Sequence, residues 1–239
     1  NDSGDSSANT GAFASGTVTG LGMTGSVSLA SAATIRILLG AGGDHFYVPT
    51  TKLDQTVTLE TGDGFDTVYV GTTSGSESGG SLNGLLGDVV ITSTTPESED
   101  TLFINDQSTS IGQAFSVDNA DTGSRTLLDN TTWPIDTTTV TRASSSGRIL
   151  YSGIADVELS GGQGDDVFNL SATHREQGAD GGKNSSFAVK GGPGADDIRL
   201  GKPVTGGFLL TRFAIDIDAS ATGVRGIPVL VDGQDGTDT

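Results

Sequence analysis

Residues 157–170 read VELSGGQGDDVFNL. Val157 and Leu159 alternate with polar neighbours, six loop residues follow, and Asp166 then precedes Phe168 and Leu170, which alternate in the same way. Period-two alternation on both sides of a loop marks two strands, each with one face in a core and the other in water. The loop glycines suit backbone conformations that a Cβ would hinder. The fixed offset from Asp to the second strand presents the same face each time, because a slip of one residue would turn the strand inside out.

The pattern occurs six times. Ile35 and Ile37 lead through LLGAGG to Asp44, Phe46 and Val48; Val57 and Leu59 lead through ETGDGF to Asp66, Val68 and Val70. Val89 and Ile91 lead through a longer loop, TSTTPESE, to Asp100, Leu102 and Ile104. After the Asp166 unit come Phe187 and Val189 with KGGPGA, Asp196, Ile198 and Leu200, and then Val229 and Val231 with DGQDGT and Asp238. A longer repeat contains these units. NDSGDSSANTGAFA at residue 1 is similar to NDQSTSIGQAFS at residue 105, and Asp44, Asp66 and Asp100 match Asp166, Asp196 and Asp238. The offsets grow from 104 to 122, 130 and 138, so the second copy carries insertions. The expected organisation is a β-repeat unit over 1–104 and a second over 105–239, both cut from a longer array whose neighbours cover the exposed apolar edges. Residues 112–152 are less regular. They hold the only Trp, Trp133, expected as a local core plug, and Pro134 argues against a central strand there.

Composition agrees with short strands and tight turns. The chain has 37 Gly and 5% aromatic residues among its 239, and no stretch sustains the 3.6-residue apolar spacing of a helix. Its formal charge of −18 repels nucleic acid phosphates and anionic lipid heads, so nucleic acid is excluded as a partner. No apolar run approaches the roughly 20 residues of a membrane-spanning helix, so no membrane insertion is expected. There is no Cys, so stability must come from packing, hydrogen bonds or metal. Sequons stand at Asn1, Asn130, Asn169 and Asn184.

The loops have a recognisable form. GGQGDDVFN (161–169) and GGPGADDIR (191–199) match the haemolysin-type, or RTX, calcium-binding nonapeptide at every defined position. TGDGFDTVY and LGAGGDHFY each lack the first Gly, the unit ending at Asp238 has Gln234 at the second Gly, and the unit ending at Asp100 is acidic instead, with Glu97 and Glu99. In that family the loops stack and calcium lies between successive turns, held by Asp carboxylates and loop carbonyls. The resemblance therefore implies Asp166 and Asp196 as the best calcium ligands, with Asp44, Asp66 and Asp238 weaker, and loop carbonyls around Gly162, Gly164, Gly192 and Gly194. Here the Asp spacings are 22, 34, 66, 30 and 42 rather than nine, so each loop looks like one corner of a larger coil. The chain also resembles the long β-strand repeat arrays of large secreted bacterial proteins.

The expected fold is all-β, a right-handed parallel β-helix or solenoid with Gly/Asp corner loops and all six aspartates above one another. Tandem β-sandwich modules, each unit closing as a hairpin, are the alternative. The expected role is an extracellular, cell-surface or secreted calcium-binding structural repeat of a stalk, filament, surface layer or large adhesin. Its partners would be calcium and neighbouring repeats of the same array. A glycan- or cell-surface-binding module is the alternative, though Tyr47, Tyr69 and Tyr151 make a sparse platform. Catalysis is not expected. The carboxylate pairs fall in turns, His45 takes an outward strand position and His174 lies in a polar stretch, and no nucleophile elbow, phosphate loop or zinc spacing is present.

Overall fold

The computed structural model describes residues 2, 4–73, 79–93, 99–126, 132–171 and 186–200, with three short strands beyond. The side chains of residues 120–136 lie outside that description. The first repeat supplies β1 (Thr10–Ala14), β2 (Thr17–Gly20), β3 (Ser26–Ser28), β4 (Thr34–Leu38), β5 (His45–Thr50), β6 (Thr56–Glu60), β7 (Thr67–Val70), β8 (Asp88–Thr92) and β9 (Thr101–Asn105). The second supplies β10 (Ala114–Thr126), β11 (Thr132–Arg142), β12 (Ile149–Ser152), β13 (Asp156–Ser160), β14 (Val167–Leu170), β15 (Ser186–Lys190) and β16 (Asp197–Leu200). A small pair, β17 (Lys202–Val204) and β18 (Gly207–Leu209), and a last strand, β19 (Val229–Asp232), follow. The chain is all-β: among the described residues the only helix is a single 3-10 turn at Leu82–Gly84.

Two large sheets organise these strands. One has nine, in the order β19-β15-β13-β9-β7-β5-β1-β2-β3, and the other eight, in the order β16-β14-β10-β11-β12-β8-β6-β4. The two strands of each complete unit lie in different sheets, so no such unit closes as a hairpin. Within a repeat, each pairs in parallel with its counterpart in the next unit: Ile35 faces Val57, which faces Val89, and Phe46 faces Val68, which faces Leu102. Alternation sets the core as the sequence implied. Ile35, Ile37, Val57, Leu59, Phe46 and Val68 are all at most 5% exposed and pack in one cluster drawn from both sheets. Each such side chain contributes roughly 1.5–3 kcal/mol of apolar burial.

The two repeats share hydrogen bonds as well as sequence. Asp2 N–H donates to Leu38 O and Asp106 N–H to Ser160 O; Ala41 N–H donates to Asp5 O and Gln163 N–H to Thr109 O; Leu21 N–H donates to Thr10 O and Ala143 N–H to Ala114 O. Each repeat opens with an antiparallel meander, β1–β2–β3 or β10–β11–β12. The step in offset from 104 to 122 arises inside this meander. A tight Ser15–Gly16 turn with positive φ joins β1 to β2, whereas β10 and β11 run on as a long two-stranded ribbon. Pro134 pairs with Ser124 on that ribbon, away from residues 138–140 where β11 is flanked on both sides. Among the described residues no strand flanks its other edge there, which is where a strand proline is tolerated. The Trp133 side chain lies outside the described residues.

One expectation is corrected. β1 and β9 both belong to the nine-stranded sheet, so the second repeat enters through the eight-stranded one, with the roles of the two sheets exchanged. Its Asp loops therefore cross from nine to eight strands, where those of the first repeat cross from eight to nine. The five described aspartates form two columns, not one. Asp100 precedes the start of β9, which pairs in register with the start of β13, whereas Asp166 follows the far end of β13.

Candidate functional site

The corner loops are the candidate site, and backbone geometry explains their aspartates. In the first column Asn9 N–H donates to Asp44 Oδ1 (2.7 Å), Asp44 N–H to Asp66 Oδ1 (2.7 Å), and Asp66 N–H to Asp100 Oδ1 (2.9 Å). In the second, Gln113 N–H donates to Asp166 Oδ1 (2.6 Å) and Asp166 N–H to Asp196 Oδ1 (2.8 Å). The carbonyl of each donor residue accepts the N–H just past the next aspartate: Thr67 N–H reaches Asp44 O, Thr101 N–H reaches Asp66 O, and Asp197 N–H reaches Asp166 O. Each carboxylate thus satisfies an amide that would otherwise be buried without a partner as the chain turns from one sheet to the other.

The second oxygens differ. Gly40 N–H donates to Asp44 Oδ2 and Gly162 N–H to Asp166 Oδ2, capping their own turns from four residues back, while Thr61 Oγ1 donates to Asp100 Oδ2. Asp66 Oδ2 is buried and has no hydrogen-bond partner. All five aspartates are at most 1% exposed. Burial pushes the Asp66 carboxyl up to about 7, with Asp100, Asp44 and Asp63 adding repulsion against the Asp44 N–H. Burial likewise pushes Asp166 up to about 6, opposed by the Gln113 and Gly162 amides.

The loop glycines are required by close stacking. A Cβ on Gly162 would lie 2.3 Å from Thr109 O, and one on Gly164 would lie 2.2 Å from the amide nitrogen of Gly112. Gly192 and Gly194 combine the same crowding with positive φ, +94 and +150. Asp238 and His174 lie outside the described residues, and His45 is exposed.

Calcium takes six to eight oxygens. As placed, both carboxylate oxygens of Asp44, Asp100 and Asp166 accept hydrogen bonds, and no three acidic or histidine side chains among the described residues converge on a point.

Sequence reasoning missed the buried pair at the joint between repeats. Arg142 and Asp106 meet at 2.8 Å with side chains 2% and 0% exposed. Asp106 Oδ1 also accepts from Leu82 N–H and Thr109 Oγ1, and Arg142 Nη2 donates to Asn83 Oδ1. Apart from Thr109, three residues from Asp106, the paired groups are 24 to 59 residues apart in sequence, so no local pattern announces them. Tyr47, Tyr69 and Phe103 stack at 4.9 and 5.1 Å. Tyr47 and Tyr69 are 8% and 7% exposed and offer their faces to each other, and Tyr151 is fully buried.

No helix among the described residues is long and apolar enough to cross a membrane. Comparison with protein-family models, curated proteins and solved structures found no match to this chain.

Proposed function

We propose that the chain is an extracellular structural spacer: consecutive turns of a right-handed parallel β-helix in a secreted stalk, filament, surface layer or adhesin. The continuity of both sheets through the joint between repeats carries this reading. β8 runs parallel to β12, and β9 to β13, with no break in the core. Such a joint propagates, because each repeat contacts its neighbours and little else. The right hand follows the general rule for parallel crossovers, and the acidic surface keeps the coil hydrated and repels its neighbours. Small-angle scattering on the chain and on a tandem duplication tests this. A rod of constant cross-section that lengthens in proportion to the repeats added supports it; two globules on a linker overturn it.

A second reading, calcium stiffening, is favoured by Asp66 Oδ2, a buried carboxylate oxygen without a hydrogen-bond partner beside two further acidic corners. A cation bound to the folded form alone raises stability by mass action. Melting in calcium and then in chelator separates the two readings: an unchanged curve leaves the aspartates as turn caps, and a calcium-dependent rise establishes the ion.

A further inference from the structure

The structure shows one strand position in two circumstances, covered and uncovered. β3 and β12 are the third strands of equivalent meanders. Val18 pairs with Val27 as Val140 pairs with Ile149, and Thr17 pairs with Ser28 as Thr139 pairs with Leu150. In the second repeat, β8 of the first lies parallel along β12, with Val89 opposite Ile149 and Ile91 opposite Tyr151. There Ile149 is 2% exposed and Tyr151 0%. In the first repeat, β3 ends the nine-stranded sheet with no strand beyond it among the described residues. Its Val27 is 44% exposed, although it occupies the place of buried Ile149. The exposure of an apolar side chain at a position the same fold elsewhere buries marks an edge built to be covered.

The chain also contains the strand that matches this edge. β19 continues from β15 as β8 continues from β6: Val229 faces Phe187 where Val89 faces Val57, and Val231 faces Val189 where Ile91 faces Leu59. β19 stands at the opposite end of the same nine-stranded sheet, again with nothing beyond it among the described residues. The two edges are therefore the two halves of a joint already present between β8 and β12.

Resting on the reading of the chain as a propagating coil, we infer that the open β3 edge docks the β19 edge of a second copy of this chain, in parallel and head to tail. Transferring the β8–β12 register places Val229 of the second copy opposite Val27, Leu230 opposite Ser28, and Val231 opposite Leu29. The contact joins unlike surfaces and does not close on itself, so it generates linear chains rather than dimers. β3 is three residues long, so the contact is weak, and the net charge of −18 opposes it. Salt screens that repulsion over about 10 Å at 0.1 M, so association strengthens with ionic strength.

The absence of cysteine makes the test direct. The full chain is prepared as Ser28→Cys and as Leu230→Cys, and the two are oxidised separately and mixed, at several concentrations and salt levels. A cross-linked dimer that forms from the mixture and at least tenfold less from either variant alone is the expected result. Adding Val27→Lys to the Ser28→Cys chain reduces that yield tenfold or more with an unchanged melting curve, since Val27 is already exposed. Sedimentation of the unsubstituted chain shows concentration-dependent growth beyond the monomer. A monomer at every concentration and salt level with no mixed cross-link, or self-pairing of Ser28→Cys as efficient as mixed pairing, overturns the inference. Neither result touches the spacer reading, which stands or falls on the rod shape of the single chain.

Discussion

Asp2 and Asp106 hold the same place at the entry to the two repeats and have different company. Both donate their amides to the last carbonyl of the strand beside them, Leu38 and Ser160. Asp106 faces Arg142, which crosses the joint to Asn83 of the first repeat. At the position of Arg142 the first repeat has Gly20, with φ +77 and its Cα against β1. Asp2 Oδ2 is buried with no hydrogen-bond partner, and its carboxyl is raised by burial and by Asp5 and Asp44. The backbone of a corner is thus repeated faithfully, while the charged fastening appears where one repeat meets another. The corners join the two sheets, and the repeats are held to each other by the joint.

The strongest way to break that contrast is to remove the fastening. Arg142→Ala leaves Asp106 buried and unpaired and is expected to lower stability by about 3–5 kcal/mol in chemical denaturation, the cost typical of breaking one side of a buried ion pair. A smaller loss than that of Arg148→Ala would show that the joint does not depend on the pair. The second effect is on the corners. Asp166→Ala strands the Gln113 and Gly162 amides and should cost about 1–3 kcal/mol for each amide left unsatisfied, seen as a lower denaturation midpoint with the slope unchanged.

A pH scan sharpens the comparison of the two columns. The folded-state values of Asp66 and Asp166 are raised to about 7 and about 6 above a starting 3.8, so the folded chain holds protons that the unfolded chain has lost. Their contribution to stability is complete below about 3.8 and is lost as pH rises, first through about 6 and then through about 7. Melting temperature should fall between pH 5 and pH 8, and Asp66→Asn should flatten the upper part of that fall. A melting temperature that rises across this interval would contradict the burial of uncompensated carboxylates. The smallest effect belongs to Arg148, whose pair with Asp88 at 2.6 Å is 55% and 22% exposed. Arg148→Ala should change stability by about 0–1 kcal/mol.

Much of this was legible in the sequence. Alternation around each loop named the core strands, because burial of one strand face imposes period two. The two columns were not legible. Spacing between aspartates counts residues but not sheets, and the exchange of sheets between the repeats follows from β1 and β9 lying in one sheet. The role of the aspartates was also hidden. Gly-rich loops ending in Asp satisfy the same local pattern whether the carboxylate faces an ion or the amide of the next turn, and what decides is a partner 22 to 53 residues away. Arg142 lay in the stretch that looked irregular, where its pairing with Asp106 has no sequence signature.

The central claim is that corner aspartates act as hydrogen-bond acceptors for the turns above and beside them. The most direct test compares Asp166→Asn with Asp66→Asn in denaturation at pH 8, each with calcium and with chelator. At 166 the amide nitrogen of Asn opposes the Gly162 N–H, whereas at 66 no N–H faces Oδ2 and a buried charge is removed. The account predicts that Asp166→Asn loses stability and Asp66→Asn is at least as stable as the parent, with neither difference altered by calcium. Equal losses at both positions that vanish in chelator would contradict it.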